Sequence, residues 1–263
     1  MTTTAELEIR AGGFDQRSFS YLADREANHF WFKARNRLII WLLEKYAKKF
    51  DRFLEIGCGT GFVLEAISKQ YPNASLSGGE LHAEGLAFAK ERVPSANLFQ
   101  LDATTLVAQE PLDCVGAFDV LEHIDQDEIV LTKIYEALAP EGLLIITVPQ
   151  HPFLWSKADE VAHHVRRYNA SEVHRKLKTA GFKLLYSGSF VTFLFPLLII
   201  SRMLNPIKES KHDEAHGTIE SNELEINPVF NWIFEQFMKL EFLLIKLGWR
   251  FPFGGSRVVL GRR

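Results

Sequence analysis

The sequence predicts an α/β fold built on a mostly parallel β-sheet with helices on both faces. Between residues 52 and 190, short apolar runs alternate with amphipathic stretches at helical spacing. The run LLIITV at residues 143–148 has the continuous β-branched character of a strand buried on both faces. A glycine-rich turn directly follows the first apolar run. In such a sheet, ligands bind beyond the carboxyl ends of the strands.

The elements follow one another in a regular order. Apolar residues at helical spacing, ending in lysines, predict a helix from about residue 30 to 49. Strands are expected at residues 52–56, 75–79, 96–101, 114–120, 143–148, 182–190 and 256–260. The segments that separate the first three strands predict helices at 62–69 and 83–92.

Two further helices have marked ends. Asp125, with Glu128 three residues later, predicts a capping box, and the helix is expected to end at Pro140. Asn169 is expected to cap the next helix, which Gly181 closes as a C-terminal glycine.

Residues 52–62, RFLEIGCGTGF, form the segment with the strongest functional signal. Gly57, Gly59 and Gly61 lie where the chain turns sharply and where a ligand must approach the backbone without a Cβ in the way. The spacing G-x-G-x-G lacks the stagger of the dinucleotide fingerprint, which argues against a nicotinamide-dependent oxidoreductase. Such a turn alone can also be purely structural.

Acidic residues stand near the ends of four consecutive predicted strands. Glu55 precedes the first glycine, where a carboxylate can reach a cationic amino group. Glu80 can accept hydrogen bonds from ribose hydroxyls, and Asp102 can meet an exocyclic amine of a base. Asp119 and His123 follow the fourth strand. Any one of these acids could be solvated or cap a helix, but four in succession favour a nucleoside-bearing cofactor.

These motifs resemble class I S-adenosylmethionine-dependent methyltransferases in order and spacing. The resemblance covers about residues 30–190 and rests on EIGCGTG, the acid at Glu80, Leu101-Asp102-Ala103, FDVLEHI and the late LAPEGLLIITVP. It implies S-adenosyl-L-methionine as cofactor. It also implies a Rossmann-like sheet of seven strands, the last one antiparallel and inserted beside the sixth.

The resemblance assigns roles to individual residues. The glycines would pass under the methionine part, Glu80 would hold the ribose, and Asp102 and Ala103 would contact adenine. The helix before the first strand would cover the cofactor, with Arg35 pairing with the cofactor's carboxylate. The predicted cofactor-binding residues are Trp31, Arg35, Glu55, Gly57, Cys58, Gly59, Gly61, Glu80, Leu81, Asp102, Ala103, Asp119 and His123.

Candidates for acceptor chemistry cluster after the fourth and fifth strands. A general base assists methylation of a hydroxyl or protonated amine, and histidine is the usual choice. The motif H-x-R-R-Y, similar to a bacterial methyltransferase subgroup, supplies His164 and Tyr168, and His151 follows the fifth strand. We predict these three as catalytic, although the same groups could simply fix a loop over the cofactor.

A metal is the other open alternative on the acceptor side. The segment DVLEHI is similar to ubiquinone-type O-methyltransferases and small-RNA terminal methyltransferases, in which the corresponding residues can hold a divalent ion. Those residues would be Asp119, Glu122 and His123. Similar sequences serve metal-free enzymes, and we expect no metal.

A hydrophobic insertion separates the last two predicted strands. Residues 190–204 are apolar, but as a helix they would be only about 22 Å long, short of a membrane span. Asn227 and Pro228 then begin a helix to about residue 247 that is apolar on most of its surface. The insertion could be a lid, a dimer interface or a surface lying on a membrane. We favour an apolar acceptor pocket for a lipid or lipophilic metabolite.

Composition sets the remaining expectations. The net charge of -3 gives no support for nucleic-acid binding. The polar N-terminal residues lack the apolar core of a signal peptide, and the two isolated cysteines suggest a reducing compartment. We therefore expect a cytoplasmic protein, with peripheral contact to the inner face of the membrane or a homodimer through residues 190–250.

The predicted organisation is a cap of helices at 1–50, a cofactor domain at 51–190 and 256–263, and the insertion at 191–255. The predicted function is methyl transfer to a small, hydrophobic or lipid-like acceptor, on oxygen or nitrogen. The alternative is a non-catalytic cofactor-binding scaffold attached to a membrane or partner through the insertion.

Overall fold

The computed structural model describes residues 17–47, 49–204 and 225–263, and seven strands within them form one sheet. The strands are β1 (Arg52–Ile56), β2 (Ser75–Glu80), β3 (Asn97–Gln100), β4 (Leu112–Phe118), β5 (Leu138–Pro149), β6 (Lys183–Phe190) and β7 (Ser256–Arg262). Their order is β3-β2-β1-β4-β5-β7-β6. Strands β1 to β5 pair in parallel, whereas β7 is antiparallel to both β5 and β6. The predicted Rossmann-like sheet is confirmed.

Helices surround this sheet. Those in the described residues are α1 (Arg17–Arg25), α2 (Phe30–Tyr46), α3 (Phe62–Gln70), α4 (Ala83–Arg92), α5 (Asp127–Ala137), α6 (Lys157–Val161), α7 (Ala170–Thr179), α8 (Phe195–Leu204) and α9 (Pro228–Lys246). Strand β5 shows how both faces are covered. Ile145 packs into a core shared with α2, α3 and α9, while Leu144 and Ile146 pack with α5 and α7. The alternation follows from the period of two in a strand.

The start of α5 differs from the prediction. Gln126, not Asp125, occupies the N-cap position, and its side chain makes no capping hydrogen bond. The first helical residue, Asp127, is instead buried and accepts hydrogen bonds from Tyr168 and Lys176. Tertiary contacts therefore fix this end of the helix. Pro140 lies within β5 rather than ending the helix, which finishes at residue 137.

The other predicted helix ends fall where expected. Asn169 is the N-cap residue of α7, although its side chain makes no capping bond. Gly181, at φ +104°, follows the end of α7 in a conformation that favours glycine. The side chain of Asn227 accepts a hydrogen bond from the backbone N–H of Val229 and so caps α9.

Helices α8 and α9 belong to the segment between β6 and β7, and α9 packs on α2. The rings of Phe30 and Phe234 lie 5.4 Å apart, and those of Trp41 and Phe242 lie 6.2 Å apart. Residues 205–224 of the predicted insertion and residues 1–16 of the predicted cap lie outside the described residues. Across the described helices, none is long and apolar enough to cross a membrane.

Candidate active site

The glycine turn after β1 creates an open approach to the backbone. Gly57, Gly59 and Gly61 have φ values of +65°, +50° and +79°, so all three adopt conformations that favour glycine. A Cβ on Gly57 would lie 2.4 Å from the side chain of Val120, and one on Gly61 would meet the backbone of α4. A Cβ on Gly59 would find only Phe19 within 4 Å, at 3.9 Å. The middle glycine thus faces the free space that a ligand could occupy.

Glu80, at the end of β2, holds this turn. Its Oε2 accepts a hydrogen bond of 2.9 Å from the backbone N–H of Gly59, and its Oε1 accepts one of 3.1 Å from His82. The side chain is buried. Each carboxylate oxygen has two lone pairs, so Glu80 keeps acceptor capacity for hydroxyl groups of a ligand.

Glu55 is a buried carboxyl group at the end of β1. Its Oε2 has no hydrogen-bond partner within the described part of the chain. Burial raises the pKa of Glu55 to about 8, while the Arg35 guanidinium lowers it and the carboxylates of Glu80 and Glu26 raise it. A cationic amino group is the natural partner for such a carboxylate because it would offset the cost of burying the charge.

Arg35 connects helix α2 to the residue that follows β4. Its Nη1 lies 2.6 Å from Oδ2 of Asp119, which also accepts a hydrogen bond of 2.9 Å from Thr147. The guanidinium carbon lies 4.8 Å from the ring centroid of Trp31. Trp31, Arg35 and Asp119 therefore form one chain of contacts. The predicted pairing of Arg35 with a cofactor carboxylate stays a prediction.

The remaining predicted cofactor residues follow β1, β2 and β3. Asp102 caps a short 3-10 turn by accepting hydrogen bonds from the N–H and hydroxyl of Thr104, and Ala103 is buried beside it. Leu81 directly follows β2 and is half-buried. The thiol of Cys58 is buried against β2, and burial raises its pKa, so only the backbone of Cys58 is suited to ligand contact.

Three residues near the turn escaped the sequence analysis. The hydroxyl of Thr60 donates a 2.6 Å hydrogen bond to Glu26, and Nη1 of Arg92 lies 2.5 Å from the same carboxylate oxygen. Burial raises the pKa of Glu26, although Thr60 and Arg92 oppose the shift. This ion pair ties α1 to the glycine turn and α4. No spacing rule links these three positions in sequence, so only the tertiary structure identifies them.

His151 is the second residue after β5, and its side chain lies in an aromatic cluster. Its ring centroid lies 5.1 Å from that of Phe153, 5.3 Å from Phe195 and 6.0 Å from Phe253. Its backbone has φ +65°, which is rare for a residue with a side chain. Burial, with the positive charge of Arg257, lowers the pKa of His151. Its Nε2 has no hydrogen-bond partner among the residues described. The imidazole is therefore neutral at pH 7 and suited to accept a proton.

His164 is held by a buried carboxylate. Its Nδ1 lies 2.9 Å from Oδ1 of Asp159, which also accepts a 2.7 Å hydrogen bond from Arg167. Burial alone would raise the pKa of Asp159, but His164 and Arg167 lower it to about 2. The carboxylate thus orients the imidazole and leaves Nε2 for another contact. Asp159 lies five residues before His164, and the sequence analysis did not single it out.

His164 and two neighbouring side chains form a group that could bind a metal ion. Glu122, His123 and His164 each offer a ligand atom, and these atoms lie within 4.8 Å of one another. The carboxyl oxygen Oε2 of Glu122 is buried and has no hydrogen-bond partner in the described ranges. Asp119, the further ligand implied by the resemblance, is bound by Arg35 instead. Two imidazoles and a carboxylate form a donor set that fits a divalent transition-metal ion.

The structure gives Tyr168 a different setting from the predicted catalytic one. Its side chain is only 1% exposed, and its hydroxyl donates to Asp127 and to the carbonyl of Leu121 at 2.7 and 3.1 Å. Burial and the Asp127 carboxylate raise the pKa of Tyr168. Lys176 contacts the same carboxylate. This environment supports a structural role, because the hydroxyl already has its partners and does not reach an open site.

The fold and this set of residues define a class of cofactor-dependent transferase, and comparison with known proteins agrees. Residues 23–187 match the model of a family described as a methyltransferase domain. The chain belongs to this family, within the class I S-adenosylmethionine-dependent methyltransferases that the motifs indicate.

Curated relatives match about half of the chain. Trans-aconitate 2-methyltransferase of Variovorax paradoxus is 30% identical over 122 residues, which are 46% of this chain and 45% of that protein. Malonyl-[acyl-carrier protein] O-methyltransferase of Bacillus cytotoxicus is 29% identical over 137 residues, 51% of this chain and 47% of that protein. The chain thus spans less than half the length of these relatives.

Solved structures share the fold. A S-adenosylmethionine-dependent methyltransferase from Clostridium acetobutylicum has a TM-score of 0.56 at 13% identity, covering 88% of this chain and 91% of that one. Phosphoethanolamine N-methyltransferase 2 of Haemonchus contortus, in complex with S-adenosyl-L-methionine, has a TM-score of 0.55 at 18% identity. That match covers 87% of this chain and 52% of the other.

Proposed function

We propose that this protein transfers a methyl group from S-adenosyl-L-methionine to a small, hydrophobic or lipid-like acceptor, on oxygen or nitrogen. The observation that carries the proposal is the turn after β1, where Gly59 faces open space and Glu80 fixes the loop. The Oε2 atom of Glu55 has no hydrogen-bond partner among the described residues. It is therefore suited to bind the ammonium group of the cofactor.

In this proposal, the acidic side chains at the carboxyl end of the sheet each bind one part of the cofactor. When bound, the cofactor supplies an electrophilic methyl carbon on a sulfonium. Glu55 binds the ammonium group, Glu80 the ribose hydroxyls and Asp102 the exocyclic amine of adenine. Direct displacement needs alignment and exclusion of water more than acid–base chemistry. Phe19, on α1, is placed to exclude water from the turn, since its ring would lie 3.9 Å from a Cβ on Gly59.

Calorimetry tests cofactor binding. S-adenosyl-L-methionine and S-adenosylhomocysteine are titrated into the wild type and Glu80→Gln, with NADH as the control ligand. We expect Kd to rise at least tenfold in Glu80→Gln, a change of about 1.4 kcal/mol. Glu91→Gln, an exposed acid of α4, is the matched control and should bind as the wild type does. Absence of binding by a folded wild type would refute the cofactor proposal.

We place the acceptor beside His151. Phe153, Phe195 and Phe253 give this position an apolar wall. The Nε2 atom of His151, which has no partner among the described residues, can take the proton that an acceptor hydroxyl or amine loses. The acceptor's lone pair forms the new bond to carbon as the sulfur–carbon bond breaks, and the proton passes to Nε2. His164, oriented by Asp159, is the second candidate for this base.

A panel of alcohols and carboxylic acids of increasing chain length tests the acceptor class, with release of S-adenosylhomocysteine as readout. We expect kcat/KM to rise with chain length, by about tenfold for each buried pair of methylenes. Phe195→Ala should flatten this dependence, whereas Phe237→Ala, an exposed ring on α9, should preserve it. A preference for the shortest polar acceptors would contradict a hydrophobic acceptor.

The proposed transfer is metal-independent, because displacement at a sulfonium requires alignment rather than a Lewis acid. A divalent ion held by Glu122, His123 and His164 would supply polarisation of an acceptor oxygen. We expect incubation with EDTA, followed by its removal, to leave the rate of methyl transfer unchanged. Loss of activity that Mn²⁺ restores would instead give these three residues a metal-binding role.

The organisation follows from the same proposal. Helices α1 and α2 of the predicted cap cover the cofactor, residues 51–190 and 256–263 bind it, and helices α8 and α9 of the predicted insertion face the acceptor. A cytoplasmic location accords with the two free, buried cysteines at Cys58 and Cys114.

The alternative function is that of a cofactor-binding scaffold without turnover, favoured by the exposed apolar side chains of α8 and α9. Methylated product from any acceptor excludes that alternative.

A further inference from the structure

The outer sides of α8 and α9 and the turn at residues 247–253 carry exposed apolar side chains, and we call these side chains together the apolar face. Its members on α8 and α9, each about half exposed or more, are Leu197, Ile200, Met203, Leu240 and Leu243, and the exposed Leu247 directly follows α9. Soluble proteins rarely expose so many large apolar side chains together without a binding role.

The apolar face is not the side of α9 that packs into the protein. Met238 and Ile245 are buried, and Phe234 and Phe242 contact α2. Helix α9 therefore has one apolar side used by the core and a second one that remains exposed among the described residues. The hydrophobicity of this second side needs a reason other than packing.

Charge on the apolar face has a single sign. Within residues 228–253, all of which the structure describes, the exposed charged side chains are those of Lys239, Lys246 and Arg250. The acid Glu235 is largely covered and pairs with Lys33 and Lys239 at 3.2 and 3.1 Å. Positive charge interspersed with apolar side chains is complementary to an anionic lipid surface.

The second acid of α9 is also withdrawn from the surface. Glu241 is only 2% exposed, and its Oε2 accepts hydrogen bonds of 2.7 and 3.0 Å from the backbone N–H groups of Thr192 and Phe193. This contact holds the chain before α8 against α9.

Two tryptophans stand at opposite ends of α9. Trp232, near its start, is 62% exposed, and Trp249, just beyond its end, is 60% exposed. Indole rings prefer the boundary between lipid headgroups and acyl chains, where an apolar ring meets water. Their positions suit a helix that lies in the plane of such a boundary.

The apolar face reaches the proposed acceptor position. Phe195, the first residue of α8, and Phe253, which is 58% exposed, both contact His151. The hydroxyl of Thr192 donates a 2.7 Å hydrogen bond to the carbonyl of Phe253, which keeps these segments together. A molecule leaving the apolar face at this end would meet His151 directly.

We propose that the apolar face docks the protein onto the surface of a bilayer containing anionic lipids. The helices lie on that surface, the tryptophans sit at headgroup level and the basic side chains contact the lipid phosphates. This inference depends on the exposed surface itself and not on methyl transfer. Docking would deliver a lipophilic acceptor to His151 without passage through water.

Flotation with vesicles tests the proposal on the full-length protein. Vesicles of phosphatidylcholine alone are compared with vesicles that also contain phosphatidylglycerol, at low and high salt. We expect strong binding to the anionic vesicles and weaker binding as salt rises. Quenching of Trp232 and Trp249 by brominated lipids should show these rings at the headgroup boundary, with the single variants Trp232→Phe and Trp249→Phe separating their signals.

Matched variants separate docking from general charge. Lys246→Gln with Arg250→Gln should lower the partition coefficient about 25-fold, since each basic residue near an anionic surface contributes about 1 kcal/mol. Lys178→Gln with Lys183→Gln, exposed lysines elsewhere on the surface, should leave partitioning unchanged. Circular dichroism and cofactor affinity, measured on the same samples, show that each variant is folded.

Two results would overturn the proposal. One is failure of the folded wild type to bind anionic vesicles at low salt. The other is a stable dimer, measured by light scattering, in which Leu243→Ser restores the monomer while vesicle binding is absent. The second result would show that another copy of this chain covers the apolar face. Cofactor affinity is measured separately, so either failure is distinct from a failure of the proposed methyl transfer.

Discussion

His151 combines features that a purely structural histidine does not need. Its backbone has a positive φ, its Nε2 lacks a partner in the described chain, and its ring stands against three phenylalanines. Strain of this kind persists where the surroundings over-determine a conformation, and it is frequent at functional sites.

The lowered pKa of His151 leads to a pH prediction. Because burial holds the folded-state pKa below the usual value of about 6.5, the imidazole becomes protonated at a lower pH than a solvent-exposed histidine does. We expect kcat/KM to be flat between about pH 7 and 8 and to decline only in more acidic buffer. His151→Asn should lower kcat by roughly 10²-fold or more without changing cofactor Kd. If the variant kept the wild-type kcat, His151 would not be the general base, and His164 would be the remaining candidate.

His29 makes a different contribution, to stability. It caps α2 through Nδ1, which accepts a hydrogen bond from Trp31, and its Nε2 is buried without a partner in the described residues. Burial lowers its pKa to about 4. The unfolded chain binds this proton near pH 6.5, so stability is lost as pH falls from about 6.5 to 4 and is unaffected above that window.

The expected loss between pH 7 and pH 5 is about 2 kcal/mol in the free energy of unfolding. Urea denaturation at the two pH values measures it. His29→Asn keeps an N-cap acceptor but cannot be protonated, so its stability should change less over this range. Equal pH dependence in wild type and variant would show that other groups cause the loss.

The packing of helix α3 against helix α4 depends on Gly61. Gly61 is the N-cap residue of α3 at φ +79°, and a Cβ there would lie 2.9 Å from the Cα of Ala89 on α4. Gly61→Ala should lower the free energy of unfolding by about 3 kcal/mol, from steric overlap and backbone strain together. Gly248→Ala, at φ +104° with nothing within 4 Å, should cost only about 1–2 kcal/mol from strain. Thermal denaturation compares them, and equal losses would mean that packing against α4 is unimportant.

The ends of individual helices were predicted correctly from the sequence where local interactions determine them. Asn227 caps α9 and Gly181 closes α7 because a side-chain acceptor or a positive φ is enough. The prediction for Asp125 was wrong because Asp127 is fixed by Tyr168 and Lys176, more than 40 residues away in sequence. A local pattern cannot show such a distant partner.

For the whole molecule, the alternation of strands and helices was sufficient to predict the sheet. The position of β7 came from the family resemblance, and the pairing of β7 with β5 and β6 confirms it. The candidate site was predicted in part, since acids at strand ends meet at one edge of a parallel sheet. The contact of Glu26 with Thr60 could not be predicted, because it joins residues 34 positions apart through folding alone. The contact of Asp159 with His164 is local, five residues apart, but it depends on the turn after α6, which no sequence pattern indicated.

The position of β7 between β5 and β6 has a consequence for biosynthesis. Strands β5 and β6 leave the ribosome well before residues 256–262, yet neither can complete its hydrogen bonding until β7 enters between them. During that interval both strands present unpaired edges, and the nascent chain already carries the apolar helices α8 and α9. Unpaired edges and exposed apolar surface together invite aggregation. The insertion of β7 between β5 and β6 therefore completes this side of the sheet, and demand for chaperones should be greatest before β7 emerges.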